Sequence, residues 1–183
     1  MTALLGGTFN PPHNGHVELA RAAQEQFGDD VVVLVAAKPV HKDVELDGET
    51  RLVLARAAFP DNDVELDPHE RTVDTLKAGR WHDPLFLLGA DEFCDFPTWK
   101  DPGGVLDRAR LAVATRPGFP RERFDRVLER LSRPERVRFF EIEPLALSSE
   151  DIRARVAAGR SIDDVVPPAV AELIEARGLY RET

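Results

Sequence analysis

The chain has few of the residues that mark exported or membrane-bound proteins. It contains one cysteine, Cys94, in 183 residues, which excludes an intrachain disulfide framework and a cysteine-rich zinc site. The acidic and aromatic neighbours of Cys94 oppose a reactive thiolate, so we interpret this side chain as a packing residue. Because no charged leader and no long apolar run precede the first short apolar segment, we expect a cytoplasmic protein that is neither exported nor membrane-spanning.

The chain also lacks an excess of basic residues. It contains 24 Lys and Arg residues and 33 Asp and Glu residues, which gives a formal net charge of -9 at pH 7. Such a chain has no overall positive field to hold a nucleic-acid backbone, so any phosphate site must be built locally. Hydrophobic residues make up 43% and charged residues 31%, the balance of a globular protein. The length predicts a single domain over residues 1–183.

Two common nucleotide-binding motifs are missing. The dinucleotide fingerprint G-x-G-x-x-G and the P-loop G-x-x-x-x-G-K-[ST] are both absent from the sequence. Hydride transfer with a dinucleotide cofactor and P-loop nucleotide hydrolysis therefore lose their usual sequence support.

Residues 3–16 instead combine an apolar run, a glycine-rich turn and two histidines. The order Ala-Leu-Leu-Gly-Gly-Thr-Phe-Asn-Pro-Pro-His-Asn-Gly-His predicts a buried strand, a loop and the start of a helix. The first N–H groups of such a helix and the positive end of its dipole would point back at the loop. The stretch therefore predicts a site for an anion, most plausibly phosphate.

Short apolar runs alternate with amphipathic segments along the rest of the chain, as in a parallel α/β sheet. The run at residues 31–36 is apolar at every position, which suits a strand covered on both faces. We predict an α/β protein, a Rossmann-like doubly wound, mainly parallel sheet flanked by helices. The predicted strands are residues 2–5, 31–36, 63–67, 85–88, 111–114 and 137–142. The predicted helices are residues 15–27, 47–59, 72–77, 101–108, 122–131, 148–159 and 167–178.

His13 and His16 admit three interpretations. As a pair three residues apart they could ligate a metal, but no third cysteine, histidine or paired carboxylate lies nearby in the sequence, so no metal-ligating residue is predicted. They could also cap or pack the start of the helix. Next to a Gly-Gly-Thr turn, both are better placed to contact phosphate.

At residues 6–16 the sequence resembles the GGTFDPxHxGH motif of the HxGH-type nucleotidyltransferase superfamily. Within that superfamily the chain is most similar to the nicotinate-nucleotide adenylyltransferases, because the phosphopantetheine relatives replace the first histidine by threonine. Further segments resemble that family in the same order: P-x-H-K at residues 39–42, T-x-D-T-L at 72–76, GAD…PTW at 89–91 and 97–99, RPG at 116–118, SSTxIR at 148–153 and G-L-Y at 178–180.

This resemblance implies a reaction and its partners. AMP would pass from ATP to the phosphate of nicotinate mononucleotide, giving deamido-NAD and pyrophosphate, with Mg²⁺ held largely by substrate oxygens and water. The expected partners are ATP and nicotinate mononucleotide, with no nucleic acid and no membrane, and a homo-oligomeric state is left open. Two alternatives stay open as well: a related transferase with another acceptor, such as nicotinamide mononucleotide, and a nucleotide-binding module without turnover.

The same matching implies the site residues. His13 and His16 would be catalytic and contact the ATP phosphates, and Trp99 would stack on the pyridine ring. The ATP site would include Gly7, Thr8, Phe9, Ser148, Ser149 and Arg153, so that the C-terminal helices of residues 148–180 complete it. The mononucleotide would contact His41, Lys42, Thr72, Asp91, Trp99 and Arg116.

The chain departs from the family pattern at four places, one of which is the Lys-Asp-Pro that follows Trp99 at residues 100–102. Asn10 stands where the family usually has Asp, and Glu150 stands where SSTxIR has Thr. Residues 68–71 replace the Ser-Tyr-Thr form, which leaves room for another acceptor. Glu150 either points away from the phosphates, where it favours the helix N-terminus, or alters ATP binding.

Overall fold

A single parallel sheet forms the centre of this computed structural model, which describes residues 2–39, 44–143 and 147–181. Within those residues six strands pair in the order β3-β2-β1-β4-β5-β6, and every neighbouring pair is parallel. The α/β class predicted from the sequence is therefore confirmed. The strands are β1 Thr2–Gly7, β2 Asp30–Ala36, β3 Asp63–Asp67, β4 Leu85–Gly89, β5 Arg110–Thr115 and β6 Val137–Glu141.

Helices follow the strands and cover both faces of the sheet. They are α1 Asn14–Phe27, α2 Gly48–Ala58, α3 Thr72–Lys77, α4 Ala90–Asp95, α5 Pro102–Leu106, α6 Arg121–Leu128, α7 Ser149–Ala157 and α8 Pro168–Arg177. Short 3₁₀ turns span Phe96–Thr98 and Pro134–Arg136. In the described parts of the chain, none of the helices has the length and apolarity needed to cross a membrane.

The core lies on both sides of the sheet because successive strand residues point to opposite faces. In β1, Ala3 and Leu5 pack with buried residues of α1, α2, α7 and α8. Leu4 points the other way and packs with buried residues of α3, α4, α5 and α6. The doubly wound arrangement therefore follows from strands that are apolar at consecutive positions.

The strand order reverses beside β1. The chain runs outward from β1 through β2 to β3, then returns to place β4 on the other side of β1. Helices on opposite faces diverge at such a switch point, which leaves a crevice outside the carboxyl ends of the strands. The loop after Gly7 and the first turn of α4, directly after Gly89, line this crevice.

The predicted elements are present, with two local differences. The sequence predicts no helix at Ala90–Asp95, and the structure forms one there directly after β4. Its N-cap residue is Gly89, which offers no side-chain cap, so the usual start signal is missing. The predicted helix at residues 122–131 ends at Leu128 instead, because the N–H groups of Arg130 and Leu131 bond three residues back and tighten the end into a turn.

Candidate active site

A cleft of about 1050 Å³ lies at the carboxyl edge of the sheet. The N-termini of α1 and α7 open onto one side of it, and the starts of α3 and α4 line the other. The cleft is lined by Leu5, Gly6, Gly7, Thr8, Phe9, Asn10, His13, His16, Leu19, Val44, Glu70, Arg71, Thr72, Asp91, Glu92, Asp95, Thr98, Trp99, Lys100, Ser148, Ser149, Glu150 and Arg153. Residues from both halves of the chain therefore meet in one cavity.

The loop after β1 is shaped by an aromatic ring beneath it. Phe9 is 1% exposed and has a φ of 50°, a left-handed conformation that is strained for a bulky residue. Its ring packs edge-on against Phe59 with centroids 5.8 Å apart. A Cβ on Gly7 would lie 2.8 Å from this ring, so position 7 accommodates only glycine without a shift. The Gly-Gly turn thus lets Phe9 enter the core while the loop stays at the cleft.

His13 and His16 form a stacked pair at the start of α1. Their ring centroids are 3.7 Å apart, and the backbone N–H of His13 donates to Nδ1 of His16 over 3.2 Å. A Cβ on Gly15 would lie 3.0 Å from Nδ1 of His13. The glycine between the two histidines therefore leaves space for the first imidazole.

Burial keeps His13 neutral at pH 7. The residue is 8% exposed, and desolvation lowers the pKa of its imidazole to about 4. Its Nδ1 is buried and has no hydrogen-bond partner among the described residues. A buried polar atom is seldom left without a partner in a folded protein, so this nitrogen is a candidate contact for a ligand in the cleft.

The two serines at the start of α7 are engaged within the protein. The Ser148 hydroxyl accepts from the N–H of Asp151 over 3.0 Å and donates to the Asp151 carboxylate over 2.6 Å. The Ser149 hydroxyl donates to the carbonyl of Pro11 over 2.9 Å. Both hydroxyls therefore donate their protons within the protein. An anion at the start of α7 would instead be stabilised by the first N–H groups of the helix and by its dipole.

Two charged residues of α7 line the same cleft. Arg153 donates to the carbonyl of Asn10 over 2.8 Å, which ties the helix to the loop after β1. Glu150 lies in the first turn and is exposed. Its carboxylate favours the helix N-terminus and at the same time adds negative charge to the cleft wall.

On the opposite side, the cleft is lined by Thr72, Asp91 and Trp99. Trp99 is half-buried and packs edge-on against Phe96, with ring centroids 5.3 Å apart. The Asp91 carboxylate accepts from Arg123 over 3.3 Å and is 71% exposed. The predicted acceptor side therefore has an aromatic wall and an exposed carboxylate.

One predicted acceptor residue, Arg116, does not line the cleft, and two others cannot be placed relative to it. Arg116 is exposed, lies over the ring of Phe119 at 5.9 Å and is not among the residues lining the cavity. His41 and Lys42 lie outside the described residues. A role for these three stays a prediction.

Some cleft residues carry no local sequence signal. Glu70, Arg71, Glu92, Asp95 and Lys100 sit in the walls because the connections after β3 and β4 fold over the same edge of the sheet. Lys100 donates to the Asp74 carboxylate over 2.9 Å and holds the pKa of that carboxyl below its usual range. In the sequence, Glu92 and Asp95 look like ordinary surface charges, whereas Glu70, Arg71 and Lys100 stand out only as departures from the family pattern.

Arg51 has one of the largest fully buried side chains of the described residues, and the sequence patterns above do not single it out. It is 1% exposed, and its guanidinium donates to the carbonyls of Thr8 (2.8 Å), Ala37 (3.1 Å) and Leu46 (3.1 Å). The signal was present, since Arg51 is in helical register with the buried residues Leu54 and Ala55 of α2. Burial lowers the pKa of this guanidinium. Arg51 therefore connects the loop after β1, through Thr8, to the segment after β2, through Ala37 and Leu46.

No cluster of three or more His, Cys, Asp or Glu side chains suited to a metal ion occurs in the described part of the chain.

The fold and the cleft define the class of protein. A parallel doubly wound sheet with a glycine-rich loop at its switch point, and with paired histidines at a helix start, is typical of a nucleotide-binding α/β protein. Comparison with known proteins identifies it further.

A family model described as cytidylyltransferase-like matches residues 4–155. A protein of Rubrobacter xylanophilus named "Probable nicotinate-nucleotide adenylyltransferase" is 34% identical, over 97% of this chain and 91% of that protein. A protein of Thermus thermophilus with the same name is 37% identical, over 97% of this chain and 98% of its own length. The chain therefore belongs to the cytidylyltransferase-like family, among the nicotinate-nucleotide adenylyltransferases, as the motifs predicted.

The fold is shared with solved structures of lower sequence identity. That of Plasmodium falciparum nicotinic acid mononucleotide adenylyltransferase complexed with NaAD matches with a TM-score of 0.76 and 16% identity, over 98% of this chain and 96% of that chain. At this identity the likeness concerns the fold, and it agrees with the sheet described above.

Proposed function

We propose that this protein transfers the adenylyl group of ATP to the phosphate of nicotinate mononucleotide, which yields deamido-NAD and pyrophosphate. The observation that carries the proposal is a cleft of about 1050 Å³ whose lining includes residues of four of the motifs: His13 and His16, Thr72, Asp91 and Trp99, and Ser148, Ser149 and Arg153. Sites for drug-sized ligands occupy about 300–1,000 Å³, so this cavity suits a dinucleotide. The relatives from Rubrobacter and Thermus bear the name of this activity.

The reaction joins two anions. An oxygen of the acceptor phosphate attacks the α-phosphorus of ATP, a new P–O bond forms, and the bond from the α-phosphorus to its bridging oxygen breaks as pyrophosphate leaves with the electron pair. Alignment and charge neutralisation dominate such a transfer, and no covalent enzyme intermediate is required. The site therefore needs fixed donors and positive charge around the phosphates.

We assign these tasks first to the start of α1. His16 accepts a hydrogen bond at Nδ1, so in its neutral form it carries the proton on Nε2 and is a donor there. His13 has an unpartnered ring nitrogen, and a nearby polyphosphate would favour protonation of this ring. The dipole of α1 adds a fixed contribution of roughly 0.3–1 kcal/mol.

The start of α7 supplies the second set of contacts. Arg153 and the first N–H groups of α7 face the same cleft as the histidines. The two helix N-termini would then hold the polyphosphate between them. In this proposal residues 148–180 complete the ATP site, and Gly7, Thr8 and Phe9 form its floor.

The acceptor would occupy the side lined by Thr72, Asp91 and Trp99. Stacking on Trp99 would hold the pyridine ring. His41 and Lys42, expected from the motif to bind the acceptor phosphate, follow β2 in the sequence. Mg²⁺ would enter as part of the ATP complex, held mainly by phosphate oxygens and water.

The test is pyrophosphate release from ATP and Mg²⁺ with nicotinate mononucleotide, nicotinamide mononucleotide or phosphopantetheine as acceptor, and with product mass as a second readout. We expect release with nicotinate mononucleotide and a deamido-NAD product. Preference for another acceptor would make the protein a different transferase of the same superfamily. Release with none of the three would indicate a binding module and overturn the proposal.

A further inference from the structure

The loop that leads into α1 is held by the C-terminal part of the chain. Loop and C-terminal segment are far apart in sequence, so these contacts arise only in the folded protein. Arg153 donates to the carbonyl of Asn10 (2.8 Å), Ser149 to the carbonyl of Pro11 (2.9 Å), Tyr180 to the side chain of Asn10 (2.7 Å), and the N–H of Asn14 to the carbonyl of Val165 (3.0 Å).

Tyr180 makes the most buried of these side-chain contacts. Its hydroxyl donates to Oδ1 of Asn10, and the two residues are 8% and 5% exposed. Its backbone has a φ of 60°, a left-handed conformation that a residue other than glycine adopts at a strain. Burial raises the pKa of this phenol well above its usual range, so the hydroxyl stays a donor at every working pH.

Asn10 and the first histidine are connected by a stiff segment. Pro11 and Pro12 lie between Asn10 and His13, and proline fixes φ near −65°. Because the φ angles of both intervening residues are restricted, we expect a displacement of Asn10 to shift His13 as well. The position of the Asn10 side chain therefore influences the position of the residues at the start of α1.

We propose that Tyr180 is a positioning residue for the reaction: its hydroxyl fixes Asn10 and, through the two prolines, sets where His13 lies against the ATP phosphates. The inference rests on the proposed function and deepens it. Tyr180 itself lies outside the lining of the cleft and acts only through Asn10. The choice of Asn at position 10 fits this role, since the amide oxygen keeps an acceptor for the tyrosine without a buried charge.

The hydroxyl can be tested without removing the ring. Tyr180→Phe keeps the aromatic packing and deletes only the donor. We expect kcat to fall roughly tenfold, because small misplacements of catalytic groups are known to slow reactions by up to about 100-fold. The KM for nicotinate mononucleotide, which binds on the other side of the cleft, should stay within about twofold.

Asn62→Ala is the matched control. The Asn62 amide donates to the carbonyl of Val31 over 3.2 Å at the amino end of β2, opposite the cleft. Its loss should lower the melting temperature about as much as Tyr180→Phe and leave kcat unchanged. If Tyr180→Phe also lowers only the melting temperature, the hydroxyl is merely structural and the inference is overturned.

A double-mutant cycle and an exchange measurement separate this inference from the proposed function. Asn10→Ala should lower kcat, and adding Tyr180→Phe should lower it no further, whereas additive losses would contradict the route through Asn10. Amide hydrogen exchange of residues 9–16 should rise in Tyr180→Phe and stay unchanged in Asn62→Ala. If the wild-type protein releases no pyrophosphate, the proposed function fails on its own, and unchanged exchange in Tyr180→Phe would then reject the positioning role.

Discussion

The backbone N–H of His13 donates to Nδ1 of His16 over 3.2 Å, while the two imidazoles stack 3.7 Å apart. The side chain of His16, in the first turn of α1, therefore caps the backbone N–H of His13, the residue that precedes the helix. Because Nδ1 of His16 is used as an acceptor, the neutral ring carries its proton on Nε2 and donates from that atom. The pair of histidines thus builds the site as well as lining it.

The first prediction separates the two roles of His16, capping through Nδ1 and donating from Nε2. His16→Asn keeps an acceptor near the position of Nδ1 but has no group at Nε2, so it should retain the cap and lose the donor. We expect pyrophosphate release to fall about 100-fold or more, as for loss of a transition-state donor. The free energy of unfolding should change by less than about 1 kcal/mol, the size of a typical cap.

His16→Ala is the comparison, since it removes both groups. It should show the same loss of activity and a further loss of about 1 kcal/mol in urea unfolding. Near-normal activity in His16→Asn would contradict the role assigned to Nε2.

The second prediction concerns His13 and pH. The pKa of its imidazole is about 4 in the folded protein, against an ordinary value of 6.5 for histidine, so the unfolded state binds more protons between these pH values. Stability is therefore complete above pH 6.5 and declines as the pH falls toward 4. The free energy of unfolding should drop by roughly 2 kcal/mol between pH 7 and pH 5 from this residue alone.

Urea unfolding at several pH values measures this effect. His13→Asn should flatten the decline, whereas His82→Asn, the same change on an exposed histidine, should keep the wild-type slope. Equal slopes in all three proteins would show that His13 does not titrate as described.

Arg51 gives the third prediction. Arg51→Met removes a buried guanidinium that donates to the carbonyls of three half-buried residues, and a carbonyl left without a donor away from water costs about 1–3 kcal/mol. We expect the free energy of unfolding, measured with urea, to fall by roughly 3 kcal/mol or more. Pyrophosphate release should fall as well, because Thr8 lies in the loop after β1 that lines the cleft. Arg56→Met, on the exposed face of the same helix, should leave both unchanged.

The fourth prediction concerns Glu150. Its carboxylate lines the cleft proposed to hold ATP, so Glu150→Gln should lower the KM for ATP about two- to fivefold at low salt by removing a like charge. The difference should shrink at high salt, where the charges are screened. Glu175→Gln, an equal charge change at an exposed site on α8, should leave the KM unchanged. A higher KM in Glu150→Gln would mean that this carboxylate assists ATP binding.

Hydrophobic periodicity made the fold predictable. The strand at Asp63–Asp67 and the helix at Thr72–Lys77 have the predicted bounds, and α1 begins one residue before the predicted start. These features follow from runs of neighbouring residues, for which local propensity and burial agree. The helix at Ala90–Asp95 escaped prediction because its start has no side-chain cap.

The sequence by itself determined the parallel α/β class and the family, and it predicts an anion site in the loop after β1, because each depends on residues close together along the chain. The tertiary structure decided what depends on distant partners and on burial. It engages Ser149 with Pro11, places Arg116 over Phe119 outside the cleft lining, and joins Tyr180 to Asn10. It also makes His13 neutral at pH 7, since desolvation depends on the atoms packed around a group and not on its neighbours in sequence.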